Sequence, residues 1–198
     1  PEVPAGYELV GKVPGDYTMT ADGHQTITVH LVHQMNTDSE SKTVTRIINV
    51  HTPHDGTKVV KQTAELTRDV TTDQVTGNKT YGDWTTSQWK AYTPEAIPGY
   101  TPSINEVPNV NIDGNSKNQM VDVTYTADAQ KVEIVYVDDI NGDAVVKTDQ
   151  IAGKTDETVK LTPDVPAGYE LVGKVPGDYM MTAGGHHTIT VHLVHQMK

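Results

Sequence analysis

The sequence has no cysteine and no phenylalanine. No disulfide can therefore supplement a small core, and a thiolate nucleophile is excluded. The missing cysteine does not separate cytosol from exterior, because exported bacterial proteins often lack it too. Cations are scarce, with 15 Lys and Arg against 26 Asp and Glu, a formal net charge of −11. Phosphate backbones and anionic lipid surfaces need a basic face, so neither nucleic acid nor membrane is an expected partner. No apolar run reaches the ~18 residues that mark a spanning helix. No signal peptide is recognisable either, so any export signal or wall anchor is expected outside this sequence.

Helix formers are also in short supply. In their place stand 28 Thr, nine Tyr, 16 Gly, 11 Pro and many Val and Ile. This composition favours pleated strands joined by tight turns, so the chain is expected to be mostly β, with an α+β mixture as the variant. Its strongest internal feature is a repeat. Residues 1–35 recur as 163–197 at a constant offset of 162, with differences only at Glu2/Asp164, Thr18/Met180, Asp22/Gly184 and Gln25/His187. A period that long implies beads rather than a solenoid, and the sequence reads as a piece cut from a tandem array.

Each copy carries two turn signals, Val3-Pro4-Ala5-Gly6-Tyr7 and Val13-Pro14-Gly15-Asp16-Tyr17 in the first, where Pro sets φ and Gly accepts positive φ. Asp22-Gly23 signals a hairpin, and Thr26 to Leu31 alternates with Ile27, Val29 and Leu31 on one face. Asn36 to Lys42 is polar and aperiodic, and reads as a linker. Strands follow at Thr43 to Val50 and Thr57 to Leu66 around the Pro53-His54-Asp55-Gly56 turn, then Ile97-Pro98-Gly99-Tyr100, a polar turn at Asn111 to Asn115, and an alternating strand Val121 to Tyr125. The same order returns at Val132 to Val137, Asn141-Gly142, Asp143 to Ile151, Val165 to Tyr169, Gly184-Gly185 and Thr188 to Leu193. Residues 36–128 and 129–198 are thus expected to be a larger and a smaller module on one plan. Residues 1–35 would be the back half of a preceding one, unable to bury Ile27, Val29 and Leu31 alone and prone to exchange or packing dimers. About seventeen extra residues in the larger module (Gly56 to Gly99 against Gly142 to Gly168) fall within Arg68 to Tyr92, with a hairpin tip at Val75 to Thr80. Short helices are expected at Gln88 to Ala91 and Thr155 to Leu161.

Thr43-Val-Thr-Arg-Ile-Ile48, Tyr81-Gly-Asp-Trp84 and Ile97-Pro-Gly-Tyr-Thr-Pro102, followed by Val135 to Asp138, the Val165 to Tyr169 turn and the Thr-Ile-Thr-Val-His-Leu close, resemble the long type of mucus-binding repeat of lactic acid bacterial surface adhesins. The resemblance covers nearly the whole chain. It implies tandem ubiquitin-like β-grasp modules in an elongated arrangement, cell-surface anchoring, and mucin glycoproteins as partner. Binding would be weak per repeat and multivalent overall.

Other chemistry has weaker support in the sequence. His192 and His195 are three apart, which on a strand puts them on opposite faces, and His186-His187 lacks a partner at metal-ligand spacing, so no metal ligands are assigned. Asp138, Asp139 and Asp143 could cluster on a structural calcium, but the segment fails the EF-hand pattern, and Asn141-Gly142 suits a type I′ turn better. No Gly-x-Ser-x-Gly elbow or phosphate loop occurs, and pairs such as Asp83 with Glu95 look like solvated charge, so no enzyme is expected. For ligand binding the candidates are Tyr81, Trp84, Trp89 and Tyr92, since sugar rings stack on exposed aromatics. Two Trp in a chain without Phe are more readily core material than a sugar-binding site, and Trp84 is expected to be the more buried, Trp89 the more exposed. Free sheet edges offer a second route, strand addition by host immunoglobulin, and a stalk without ligand is a third.

Overall fold

A computed structural model describes residues 1–21, 23–184 and 186–197, without the side chain of His186. Asp22, Gly185 and the His186 ring, invoked in the expected turns and histidine pair, lie outside the described residues.

The first repeat copy forms an antiparallel ribbon of β1 (Tyr7–Val10) and β2 (His30–His33), paired from Tyr7 with His33 to Val10 with His30. Then come β3 (Met35–His51), β4 (Thr57–Asp73), β5 (Lys79–Tyr81), β6 (Ser87–Trp89), β7 (Tyr100–Pro102), β8 (Val110–Ile112) and β9 (Gln119–Ala127). The chain continues through β10 (Ala129–Asp138), β11 (Ala144–Lys154), β12 (Thr158–Lys160), β13 (Tyr169–Val172), β14 (Asp178–Met180) and β15 (His186–His195). The 3₁₀ turn Asp139–Asn141 is the only helical element among the described residues.

The sheets explain why the two halves of the chain read alike. β5-β4-β3-β9-β7 forms one sheet with β6-β8 as a separate pair, and β11-β10-β15-β13 forms another with β12-β14 as its pair. Setting β5 aside, the two sets have one strand order. In the second set β10 runs parallel to β15, with β11 and β13 antiparallel on the outside. Burial follows the period-two rule: along β10, Val132, Ile134 and Tyr136 are buried while Lys131 is exposed and Glu133 half-buried.

Compact packing divides the chain into two units. One holds Pro1–Ile47, Lys61–Lys90 and Asn109–Met120; its core is Val44, Ala64, Leu66, Trp89 and Ile112. The other holds Ile48–Val60, Ala91–Pro108 and Val121–Lys198. It has one core of Ile48, Val50, Val107 and Val123 and another built on Val132, Ile134, Tyr136, Leu161, Met181, Val191 and Leu193. β3, β4 and β9 supply residues to both units.

Several local expectations are corrected. Neither short helix forms. Ser87–Trp89 is β6, where Trp89 turns into the core opposite Val110, and Thr158–Lys160 is β12, paired with β14. The β-branched pair Thr158-Val159 resists helix as well. The expected linker is the start of β3. Both of its faces are wet, so no apolar alternation marked it; Thr37 and Thr71 hydroxyls meet at 3.2 Å and Glu40 pairs with Arg68. The Asn141-Gly142 turn is shifted by one residue: Asp138 Oδ1 caps the 3₁₀ turn by accepting from Ile140 N at 3.1 Å, and positive φ falls on Gly142 (61°) and Asp143 (60°).

The two repeat copies fold differently. In the second, β15 is held on both edges by β10 and β13, and Met181 and Leu193 are 0% exposed. In the first, β2 pairs with β1 alone among the described residues; the strand expected at Thr26 to Leu31 shrinks to His30–His33, Met19 is 86% and Ile27 49% exposed, and Val29 and Leu31 are half-buried.

Candidate functional site

β4 and β5 are joined by the hairpin tip foreseen at Val75 to Thr80. Asp73 closes it, accepting at Oδ1 from the N–H of Val75 (2.9 Å) and Thr76 (3.2 Å). Tyr81 leaves β5 opposite Val70 of β4, and pairing continues irregularly beyond it, with Gly82 N on Asp69 O and Thr85 N on Thr67 O, each 2.8 Å. This fixes Trp84 beside β4.

The side chains of this face form a ladder. The Arg68 guanidinium carbon lies 4.2 Å from the Tyr81 ring centre and 4.5 Å from that of Trp84, and Lys42 Nζ lies 4.6 Å from the Trp84 ring centre. Arg68 Nε donates to the Glu40 carboxylate and Lys42 Nζ to the Gly114 carbonyl. Gly114 is required there, since a Cβ would stand 2.6 Å from Trp84 Cδ1. Tyr81 is 54% exposed and Trp84 half-buried against the core. Each cation over a ring contributes roughly 0.5–1 kcal/mol at exposed sites. The result is a fixed surface of aromatic carbon bordered by cationic donors and one carboxylate.

The other two aromatic candidates are elsewhere. Trp89, expected to be the exposed one, is 1% exposed, its Nε1 donating to Val44 O at 3.0 Å and Arg46 packed 5.3 Å from its ring centre. Burial lowers the Arg46 pKa, and Gln62 and the Lys90 carbonyl accept from the guanidinium. Trp84 and Trp89 have thus exchanged their expected roles, because period two in β6 sends position 89 inward. Tyr92 belongs to the other unit, bridged to Val107 and half-buried in that core.

Histidine–carboxylate pairs went unforeseen. His33 Nδ1 lies 2.7 Å from Asp73, His195 Nδ1 2.7 Å from Asp138, His192 Nδ1 2.7 Å from Asp139, and His54 Nε2 2.9 Å from Asp156. Only His195 and Asp138 sit on strands paired with each other; the others join a turn, the 3₁₀ segment or strands not so paired, where no local pattern marks them. Of the carboxylates considered for calcium, Asp138 is 3% exposed and engaged by His195; Asp139, Asp143 and His192 bring ligand atoms within 4.8 Å of one another in the open. A 330 Å³ pocket is lined by Tyr17, Met19 and Ile27, whose counterparts Tyr179, Met181 and Ile189 belong to the second copy's core, so it is uncovered core rather than a shaped site.

Residues 35–129 match the model of the Muc B2-like domain, and residues 130–195 match that of the mucin binding domain. The chain belongs to the MucBP-type mucin-binding repeats. Among solved structures, this mucin-binding repeat is similar to the mucin-binding domain of Spr1345 from Streptococcus pneumoniae, at 32% identity over 46% of this chain and 96% of that one, with a TM-score of 0.43. It is similar also to the type 2 repeat of the mucus binding protein MUB from Lactobacillus reuteri, at 25% identity over 62% and 76%, TM-score 0.41. The MucBP domain of an adhesion protein from Pediococcus pentosaceus shares 32% over 44% and 99%, TM-score 0.35. No curated protein matches. Within the mucin-binding repeat the ladder lies in the span of the Muc B2-like domain. No helix among the described residues is long and apolar enough to cross a membrane.

Proposed function

We propose that the chain is a repeat of a bacterial cell-surface adhesin that binds the glycans of host mucin, and that Tyr81, Trp84, Arg68 and Lys42 form its contact surface. The carrying observation is the ladder itself. An exposed ring held rigid by a stacked guanidinium offers a CH-binding face at little entropic cost, and the flanking cations offer donors to sugar hydroxyls and to the carboxylates or sulfates of acidic mucin glycans. The match to two mucin-binding domain models supports the partner class. We further read both strand sets as β-grasp modules; in the second set the parallel pairing of its first and last strands, flanked by its second and a later strand, supports that plan, and the first set shares that strand order. Aromatic faces beside cationic donors are the chemistry of recognition, and we read the ladder as a binding surface. A single shallow ladder gives weak affinity, and linked copies raise effective concentration.

The test is capture of the chain by immobilised mucin before and after enzymatic removal of its glycans, with an inert β protein and immobilised immunoglobulin as references. Glycan-dependent capture supports the proposal. Capture equal to the inert protein sinks it, and capture by immunoglobulin alone would favour strand addition at a sheet edge instead.

A further inference from the structure

Two joints in the chain are built to the same backbone plan. At the first, Gln34, the residue after β2, donates its N–H to the Gly6 carbonyl (2.7 Å), and the Gln34 carbonyl accepts the N–H of Gln74, the residue after β4 (2.9 Å). At the second, Asp128, the residue after β9, donates to the Gly99 carbonyl (2.8 Å), and its own carbonyl accepts the N–H of Thr155, the residue after β11 (3.0 Å). In both, the glycine precedes a tyrosine that opens a strand and has positive φ, 86° at Gly6 and 83° at Gly99. Both glycines also stand against the incoming segment, where a Cβ would lie 3.0 Å from Gln74 O at Gly6 and 2.6 Å from Thr155 Cγ2 at Gly99.

The same device occurs a third time. Gln196, the residue after β15, donates to the Gly168 carbonyl at 2.8 Å, and Gly168 has φ 89° before Tyr169 of β13. Here, among the described residues, no atom stands within 4 Å of the Gly168 Cβ position.

We infer that the Gln196 carbonyl and Gly168 form a docking end for the hairpin tip 73–78 of a second copy of this repeat, with that copy's Gln74 N–H as the donor. The occupant follows from the chain itself: residues 163–197 repeat 1–35, the first copy already carries this tip, and none of the four differing positions is Gly6, Tyr7, His33 or Gln34. The inference does not need the His33–Asp73 pair of the first joint. His195 is held by Asp138, and at the second joint Ala127 occupies the corresponding position. What the joints share is backbone, so one docking rule serves modules of different sequence, and the donor and acceptor satisfy each other rather than water.

The test is a chain continued after Met197 by one more 162-residue period, with amide hydrogen exchange read by NMR. Exchange at the Gln74 position of the added period within about tenfold of that at Gln74 supports the joint; exchange more than tenfold faster overturns it. Gly168→Ala should then speed exchange at that position at least tenfold. Gly173→Ala, at a similar φ of 78° but outside the inferred docking end, should not. Equal effects of the two substitutions also overturn the inference. Mucin capture is not the readout, so this failure is distinguishable from failure of the proposed function.

Discussion

Met19 and Met181 occupy the same position in two copies of one sequence, yet one is 86% exposed and the other 0%. Removing buried methylenes costs transfer free energy plus a cavity, so Met181→Ala should destabilise the second core by about 2–5 kcal/mol. Met19→Ala should stay within about 0.5 kcal/mol. Denaturant melts of the two variants check this, and equal losses would contradict the burial difference. A second pair separates core from surface among the tryptophans. Trp89→Phe leaves the Val44 carbonyl without its indole donor and should cost about 1–3 kcal/mol, seen as a lower unfolding midpoint without altered mucin capture. Trp84, half-buried and stacked with Arg68, should show the converse. The sequence could name both rings but not rank them, because the inward phase of a three-residue strand depends on which of its faces meets Val44 and Ile112.

At the level of elements, turns and long alternating strands were readable, and elements made by context were not. Asp-Gly, Pro-Gly and Asn-Gly patterns put the hairpins nearly where they occur, since only residues tolerant of special φ fit there. β6 and β12 are too short to show a period, and the wet start of β3 has no apolar face to reveal. The contrast between β2 and β15 is the sharpest case: identical alternation gives a four-residue strand or a ten-residue strand according to whether a neighbour exists on each edge. The joint at Asp73 belongs to this scale and is pH-sensitive. The hydrogen bond with His33 is the main cause that holds the Asp73 pKa at about 2; the N–H groups of Val75 and Thr76 lower it further and burial opposes them. A pKa lowered in the folded state contributes stability that is complete above the unfolded value of 3.8 and lost as pH falls through about 2. Protection of the Gln74 amide should therefore be constant from pH 7 to 5 and fall between pH 4 and 2. In Asp73→Asn this fall should vanish; its persistence would place the titration elsewhere.

For the whole molecule, the repeat offset and the mucin-binding signature were legible because both are properties of order along the chain. The proposed contact surface was half legible. Tyr81 and Trp84 could be named from their flanking turns, whereas Arg68 and Lys42, which hold them, are recognisable only once β3 and β4 lie side by side. That gap is general for binding surfaces assembled across a sheet, since the partners of an exposed ring come from neighbouring strands rather than neighbouring residues. The histidine–carboxylate pairs were hidden because each joins residues far apart in sequence.

The central claim is that the ladder on β3, β4 and β5 is the mucin-contacting surface. It is tested most directly by steady-state binding of the intact chain and of a Tyr81→Ala/Trp84→Ala double variant to immobilised mucin, with circular dichroism confirming that both are folded. Aromatic contacts of roughly 0.5–1.5 kcal/mol each predict about a tenfold weaker affinity for the double variant. A folded double variant that binds mucin as tightly as the unaltered chain would contradict the claim.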